Sequence, residues 1–341
     1  MTPTAFFITR NENMSMNGET VGAPRMRMGS VAVGALAIAA MVGLSACSKV
    51  ANLKGIMAYK EANKAYQVQD YKRAAGLYEE SLQSDPNQPA IYFYLGNSYD
   101  NQFKPGVEDP ANDALLAKAV QNYELGIEKL NKPEDVKLQK LTLQYLVAAY
   151  GPDKLNDPVK AEPAVQRLIR LDPADPANYF ALAKIYEDSG VYDEAEKVLD
   201  MAKAAKPGDP TVYMTLAGYY NRQGQFDKTI GALKERAEKE PNNPEAFYTL
   251  STYYWDEAYR NNRLKDTEKK AYVQAGMDAI DRAIMIRPDY VEALVYKGLL
   301  LRLQANMERD PAKQQSLLKQ ADQFRDKAQE LRKTKASGVG D

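Results

Sequence analysis

The sequence predicts an all-α fold, a solenoid of about seven helix-turn-helix units over residues 55–331. From Gly55 onward the 341-residue chain matches itself every 34 residues, and the steps from Pro173 to Pro207 and from Pro207 to Pro241 both have that length. The unit boundaries repeat as well: Pro86-Asn-Gln-Pro89, Pro173-Ala-Asp-Pro176, Pro207-Gly-Asp-Pro210 and Pro241-Asn-Asn-Pro244. The first proline of each pair stops a helix. The second stands at the first position of the next helix, behind Asp175, Asp209 or Asn243, where no N–H is missed and the capping side chain accepts a bond from the first turn. Within each unit, apolar residues recur three and four apart, so every helix carries one apolar stripe.

The clearest unit, 176–209, has Tyr179, Leu182, Ala183 and Tyr186 in its first helix and Gly190 and Tyr192 at the turn. Ala195, Leu199 and Ala202 follow in its second helix, before Pro207. This pattern resembles the tetratricopeptide repeat (TPR), with Tyr in place of Trp at the leading aromatic position. The resemblance implies a right-handed superhelical solenoid in which the first helix of each unit, helix A, lines a concave face. The units fall near 55–88, 89–133, 140–175, 176–209, 210–243, 244–290 and 291–331, with 332–341 as a flexible tail. Units two, six and seven carry 11 to 13 extra residues between helices A and B. Asp109-Pro110-Ala111 and Asp310-Pro311-Ala312 predict helix restarts inside two of these insertions, so they read as extra helical turns on one edge of the stack. That edge is either surface decoration or a partner-binding surface.

Composition removes whole classes of chemistry. With no histidine there is no Ser-His-Asp or Cys-His pair and no His-ligated zinc or haem, and one cysteine makes no internal disulfide or CxxC pair. Lys and Arg number 45 against 46 Asp and Glu, which leaves no basic field for nucleic acid. No phosphate-binding glycine loop, HExxH or EF-hand loop occurs, and carboxylate pairs such as Glu79 with Glu80 or Glu238 with Glu240 read as solvated helix faces. The expectation is a non-enzymatic protein with no cofactor and no metal.

The N-terminus carries a second signal. Residues 1–30 are polar, with Arg25 and Arg27 near the end, and 31–44 form an uncharged stretch of 14, short of the ~20 residues that span a bilayer. Leu44-Ser45-Ala46-Cys47 follows and resembles the lipobox of bacterial lipoproteins. The resemblance implies that 1–46 are a signal peptide, cut before Cys47, and that the Cys47 thiol carries lipid, each buried CH₂ contributing ~0.8 kcal/mol of anchoring. Ser48, where Asp would favour the inner membrane, implies the periplasmic side of the outer membrane. A start at Met26 would give a leader of ordinary proportions, with 1–25 as a start-site artefact. Residues 47–54 then serve as a lipidated tether of at most ~25 Å, which would keep the array near the membrane.

By resemblance, the fifth, ninth and twelfth positions of helix A face the concave groove. They supply the candidate peptide-binding residues Tyr59, Asn63, Tyr66, Phe93, Asn97, Phe180, Met214, Tyr248 and Trp255. The clamp with which some TPR proteins hold a C-terminal carboxylate needs Lys at the fifth position, and none stands there. An aromatic and Met-lined groove suits a peptide with apolar anchors, Trp255 being the expected exposed one, although any single Tyr can instead pack between repeats. The expected function is a lipid-anchored scaffold that binds envelope proteins or peptides and supports assembly of an outer-membrane or secretion/pilus complex. The alternatives are an accessory docking factor for a periplasmic hydrolase or glycan synthase, and a hydrolase that uses carboxylates alone.

Overall fold

The computed structural model describes the backbone of residues 38–336 and the side chains of 53–335. Most of the expected signal peptide and the last five residues therefore lie outside the described residues. The array belongs to one compact unit that begins at Lys54, and the segment before it is a separate unit.

Among the described residues there are fourteen α-helices, one 3-10 turn (Pro133–Asp135) and no strand. They pair as α1 (Ile38–Gln67) with α2 (Tyr71–Ser84), α3 (Pro89–Asp100) with α4 (Pro110–Lys129), and α5 (Val136–Tyr150) with α6 (Pro158–Leu171). Next come α7 (Pro176–Asp188) with α8 (Tyr192–Ala205), and α9 (Pro210–Arg222) with α10 (Phe226–Lys239). The last two pairs are α11 (Pro244–Arg260) with α12 (Asp266–Ile286), and α13 (Val291–Asn306) with α14 (Pro311–Ala336). The fold is thus an all-α solenoid of seven helix-turn-helix units.

The caps read from the sequence are in place. Asp175, Asp209 and Asn243 each accept a bond from the backbone N–H two residues on, at 3.0 Å, ahead of a proline in the first turn. The restarts within the insertions are built the same way, Asp109 accepting from Ala111 N–H and Asp310 from Ala312 N–H. Extra residues lengthen helices: α4 has 20 residues, α12 has 21 and α14 has 26, against 14 in α8 and α10. Two boundaries differ from expectation. The segment 47–54 is part of α1, which has no proline and is rich in Ala and Lys, and α14 runs on to Ala336, closing on Lys333 and Lys335, which suit the negative end of the helix dipole.

Helix A meets helix B at small residues. A Cβ on Gly96 would lie 2.8 Å from the Tyr123 ring and 3.0 Å from the Ala119 carbonyl, while Ala119 and Ala195 are fully buried. In unit six Ser251 Oγ donates to the Gly276 carbonyl at 2.8 Å across the same crossing. The core passes along the stack without a gap. Val147 and Ile185 pack against both the first and second apolar clusters, and Tyr272 against both the second and third.

Seven of the 23 tyrosines take two periodic roles. At the leading aromatic position, Tyr92, Tyr179 and Tyr213 donate to the carbonyls of Pro86, Pro173 and Pro207 at 3.0, 2.9 and 2.7 Å, satisfying an acceptor where the preceding helix has just ended. Unit six has Phe247 at that position. There Arg282 lies over the Phe247 ring and reaches the Pro241 carbonyl at 3.4 Å instead.

In the last turn of helix A, a second tyrosine reaches back to a carboxylate on helix B of the preceding unit: Tyr99 to Glu79, Tyr150 to Glu124, Tyr186 to Glu162 and Tyr220 to Glu196. A lysine from the tyrosine's own unit covers three of these rings, with Lys118, Lys160 and Lys228 at 4.8, 5.9 and 5.1 Å from the centroids. The series stops at unit six, where Tyr254 packs on Phe226 and Tyr272 at 6.1 and 6.0 Å.

Two predictions follow from this packing. Gly96→Ala should destabilise the chain by about 1–3 kcal/mol through overpacking, whereas Gly76→Ala, where nothing lies within 4 Å, should stabilise it by about 0.5–1 kcal/mol; urea unfolding measures both. A hydrogen bond from Lys228, together with one from Tyr220 and the lysine charge, holds the Glu196 carboxyl below its ordinary value of 4.5. A depressed carboxyl contributes stability above its unfolded pKa and loses it as pH falls through the folded one. Lys228→Met should therefore lower stability at neutral pH and make its decline on acidification shallower, as followed by helical circular dichroism across a pH series.

Candidate functional site

The candidate residues separate into three groups along the A-helix face. In units one to three, Tyr59, Tyr66, Tyr78, Phe93, Tyr94, Tyr123 and Tyr145 form a connected ring cluster, with centroids 5.1–6.5 Å apart. Two of its hydroxyls are bonded to asparagines within it: Tyr66 donates to Asn97 Oδ1 at 2.6 Å and Tyr78 to Asn63 Oδ1 at 2.7 Å. Burial raises the Tyr78, Tyr94 and Tyr123 hydroxyls far above or above their usual range, and neighbouring rings or Asp100 add to it.

Phe93 is 3% exposed and Asn97 2%, so these two positions do not present the open surface the repeat pattern implies. The physical reason is the crowding of tyrosines: Tyr94, Tyr123 and Tyr145 close over Phe93, and Tyr66 covers Asn97. Tyr59, Asn63 and Tyr66 keep partial exposure at the rim of this cluster.

In the middle of the array, Phe180 and Met214 are half-buried against the second apolar cluster. Arg236, itself 8% exposed, places Nη1 2.8 Å from Met214 Sδ and Nε 2.7 Å from Glu240. Arg222 and Glu187 pair through two bonds, at 2.7 and 2.9 Å, and tie α9 to α7 on the same face.

Units six and seven are different. Tyr290, Tyr248, Tyr296, Trp255 and Tyr259 follow one another with centroids 5.2, 5.3, 5.7 and 4.9 Å apart, and the last two rings stack within 10° of parallel. Tyr259 is 58% exposed, and the other four are half-buried. Burial, with Tyr296 and Tyr290 close by, pushes the Tyr248 hydroxyl up to about 12. Tyr248 and Trp255 were expected on this face, whereas Tyr259, Tyr290 and Tyr296 were not. Tyr259 stands in the added last turn of α11 and Tyr296 one residue past the fifth position, so neither falls on the repeat template. The spacing of four between Trp255 and Tyr259 was the available signal.

On the edge formed by the A–B turns, Phe103, Val107, Glu108, Asp109, Asp113, Asp153 and Lys154 border a cleft of about 410 Å³. Lys154 is bonded to Asp100, which is 9% exposed, so the turn of unit three is tied to α3. Among the described residues no group of carboxylates and thiols has the arrangement to hold a metal ion, and no helix is long and apolar enough to cross a membrane.

Residues 59–106 and 154–219 each match a tetratricopeptide-repeat family model. Among solved structures, the C-terminal part of a TPR repeat-containing protein from Cytophaga hutchinsonii is 15% identical, aligns over 80% of this chain and 98% of its own, and superposes with a TM-score of 0.50. MamA is 20% identical over 55% of this chain and 92% of its own, with a TM-score of 0.41. YrrB, described as a TPR protein with an unusual peptide-binding site, is 20% identical over 70% of this chain and 88% of its own, with a TM-score of 0.27. No curated protein matches the sequence. The Cytophaga likeness bears on the fold alone.

The two ring clusters should respond differently to substitution. Asn97→Ala leaves the Tyr66 hydroxyl without its acceptor and should cost about 1–3 kcal/mol, while Tyr259→Ala on the open ladder should stay within about 0.5 kcal/mol of the parent in urea unfolding.

Proposed function

We propose that this chain, which carries tetratricopeptide repeats, is a non-enzymatic scaffold that binds proteins or peptides along its A-helix face. The observation that carries the reading is the adjacency of A helices from successive units, α3 against α5 and α11 against α13, which joins half-buried apolar residues into a shared surface. Tyr59, Tyr66, Phe180, Met214, Tyr248 and Trp255 stand on it. Repeats of this family act as interaction modules, and an extended surface built from rigid helices suits an elongated ligand with apolar anchors.

The finer reading rests on the sequence. The lipobox-like Leu44-Ser45-Ala46-Cys47 at the end of an apolar stretch supports a lipid anchor on Cys47 and a place on the periplasmic side of a bacterial membrane. Ser48 favours the outer membrane. A scaffold held there would recruit envelope proteins and support assembly of an outer-membrane or secretion/pilus complex.

Two experiments test these levels separately. A photoreactive residue at Phe180 or Met214 in cells should capture an envelope protein: a barrel or secretin partner agrees with an assembly role, and a hydrolase or glycan synthase partner replaces it with the docking role. Turnover of a substrate by the pure chain would overturn both. Cys47→Ser should lose metabolically incorporated lipid and partition as soluble; a variant that stays on the membrane with its N-terminus intact defeats the lipoprotein reading.

A further inference from the structure

The two ends of the array are finished differently. A stack of repeats needs a polar outer face on its terminal units, because no further unit covers them. At one end α14 meets this need, and none of its large apolar side chains is exposed. At the other end the outer face of α1 does not. Ile56 and Met57 are 43% and 61% exposed there, and Val68, in the turn that follows, is 76% exposed.

These residues belong to one stripe. Met57, Lys60, Lys64 and Val68 stand three or four residues apart, and Val68 N–H still bonds to the Lys64 carbonyl at 3.2 Å, so the helical course runs through all four. The opposite side of α1 is committed to the fold: Ala58, Ala62 and Ala65 are buried. The stripe therefore has apolar side chains at both ends and exposed lysines between them, over about 17 Å of helix. Of the nearby carboxylates, Glu61 is shared by Lys64 and Arg73, at 2.7 and 3.8 Å, and Asp70 accepts from Arg73 N–H as the cap of α2. Lys60 forms no ion pair among the described residues, which leaves a cation at the centre of the stripe.

The chain before this face selects what covers it. Cys47 stands nine residues ahead of Ile56, a leash of about 32 Å at full extension, so lipid on the Cys47 thiol would hold this face beside the bilayer. A helix that lies on a membrane turns apolar side chains into the boundary of the acyl chains and meets the phosphates with lysine, which is the composition of this stripe. Two copies joined through the same face would instead bring like-charged stripes together.

We propose that the outer face of α1, with Ile56, Met57, Lys60, Lys64 and the adjoining Val68, rests on the phospholipid surface beside the Cys47 anchor. The array then stands on its first unit, and the A-helix face of the later units stays open to partners. This rests on the lipoprotein reading above and adds an orientation to it.

Cys47 is the chain's only cysteine, so once its thiol carries lipid a single introduced cysteine takes a fluorescent label. Lipidated Met57→Cys, Val68→Cys and Lys327→Cys chains, the last labelled on α14, are reconstituted in vesicles of phosphatidylethanolamine and phosphatidylglycerol with and without acyl-brominated lipid. The expected result is quenching at least about threefold stronger at residues 57 and 68 than at 327. Adding Ile56→Glu to the Val68→Cys chain should at least halve its quenching while urea unfolding stays unchanged. Mass spectrometry reports the lipid on each chain independently. Equal quenching at all three sites of a lipidated chain overturns the proposal and leaves the lipoprotein reading in place. The same holds if the label at 57 is shielded by a second copy, seen as cross-linking of two chains through that residue. A chain without lipid on Cys47 overturns both.

Discussion

No helix in this array can bury its apolar stripe alone, so each unit must lie against the next. This requirement decides where small residues, prolines and tyrosines stand. Helices A and B close on each other at Gly96 with Ala119, and at Ser251 with Gly276, because only small side chains leave room for the opposing backbone or ring. Neighbouring units are then held by contacts with direction as well as area. The leading tyrosine answers the carbonyl left open where the preceding helix stops, and the later one crosses the boundary to a carboxylate.

These directed contacts divide the array. Units one to five share the tyrosine–carboxylate bond at every boundary, and their rings and hydroxyls are committed to holding the stack. Beyond unit five the boundary is aromatic, with Tyr254 among Phe226 and Tyr272, and the helices are longer. The longer α11 carries ring residues past the point where a partner unit covers them. Tyr259, in the added last turn, is accordingly 58% exposed.

The architecture was legible because its signals are local and repeated. The Pro-x-x-Pro junctions located the ends of α6, α8 and α10 and the starts of α7, α9 and α11, and Asp109-Pro110 and Asp310-Pro311 marked restarts inside insertions. The site was less legible because exposure depends on neighbours that lie 30 residues or more away in sequence. Asn97 and Phe93 occupy template positions that face a groove, yet Tyr66 covers the first and Tyr145 packs on the second. The hydroxyl acceptors were also out of reach, since Glu79 and Glu124 sit one helical turn farther along helix B than Glu162 and Glu196, so no fixed spacing announces the pairing. Tyr259 and Tyr296 fell off the template because the last two units lengthen their helices.

The last described helix, α14, completes the core of unit seven. In every earlier pair, helix B offers apolar side chains to a following unit. On α14 only one line of residues, including Ala321, Phe324 and Ala328, turns inward, while Lys319, Gln323, Arg325, Asp326, Lys327 and Glu330 are exposed. A self-complementary stack of this kind is a polymer in principle, and any uncovered end is a growth point for another copy. On its outer side α14 meets solvent with charged and polar side chains, the composition expected of a helix that covers the apolar face of its neighbour.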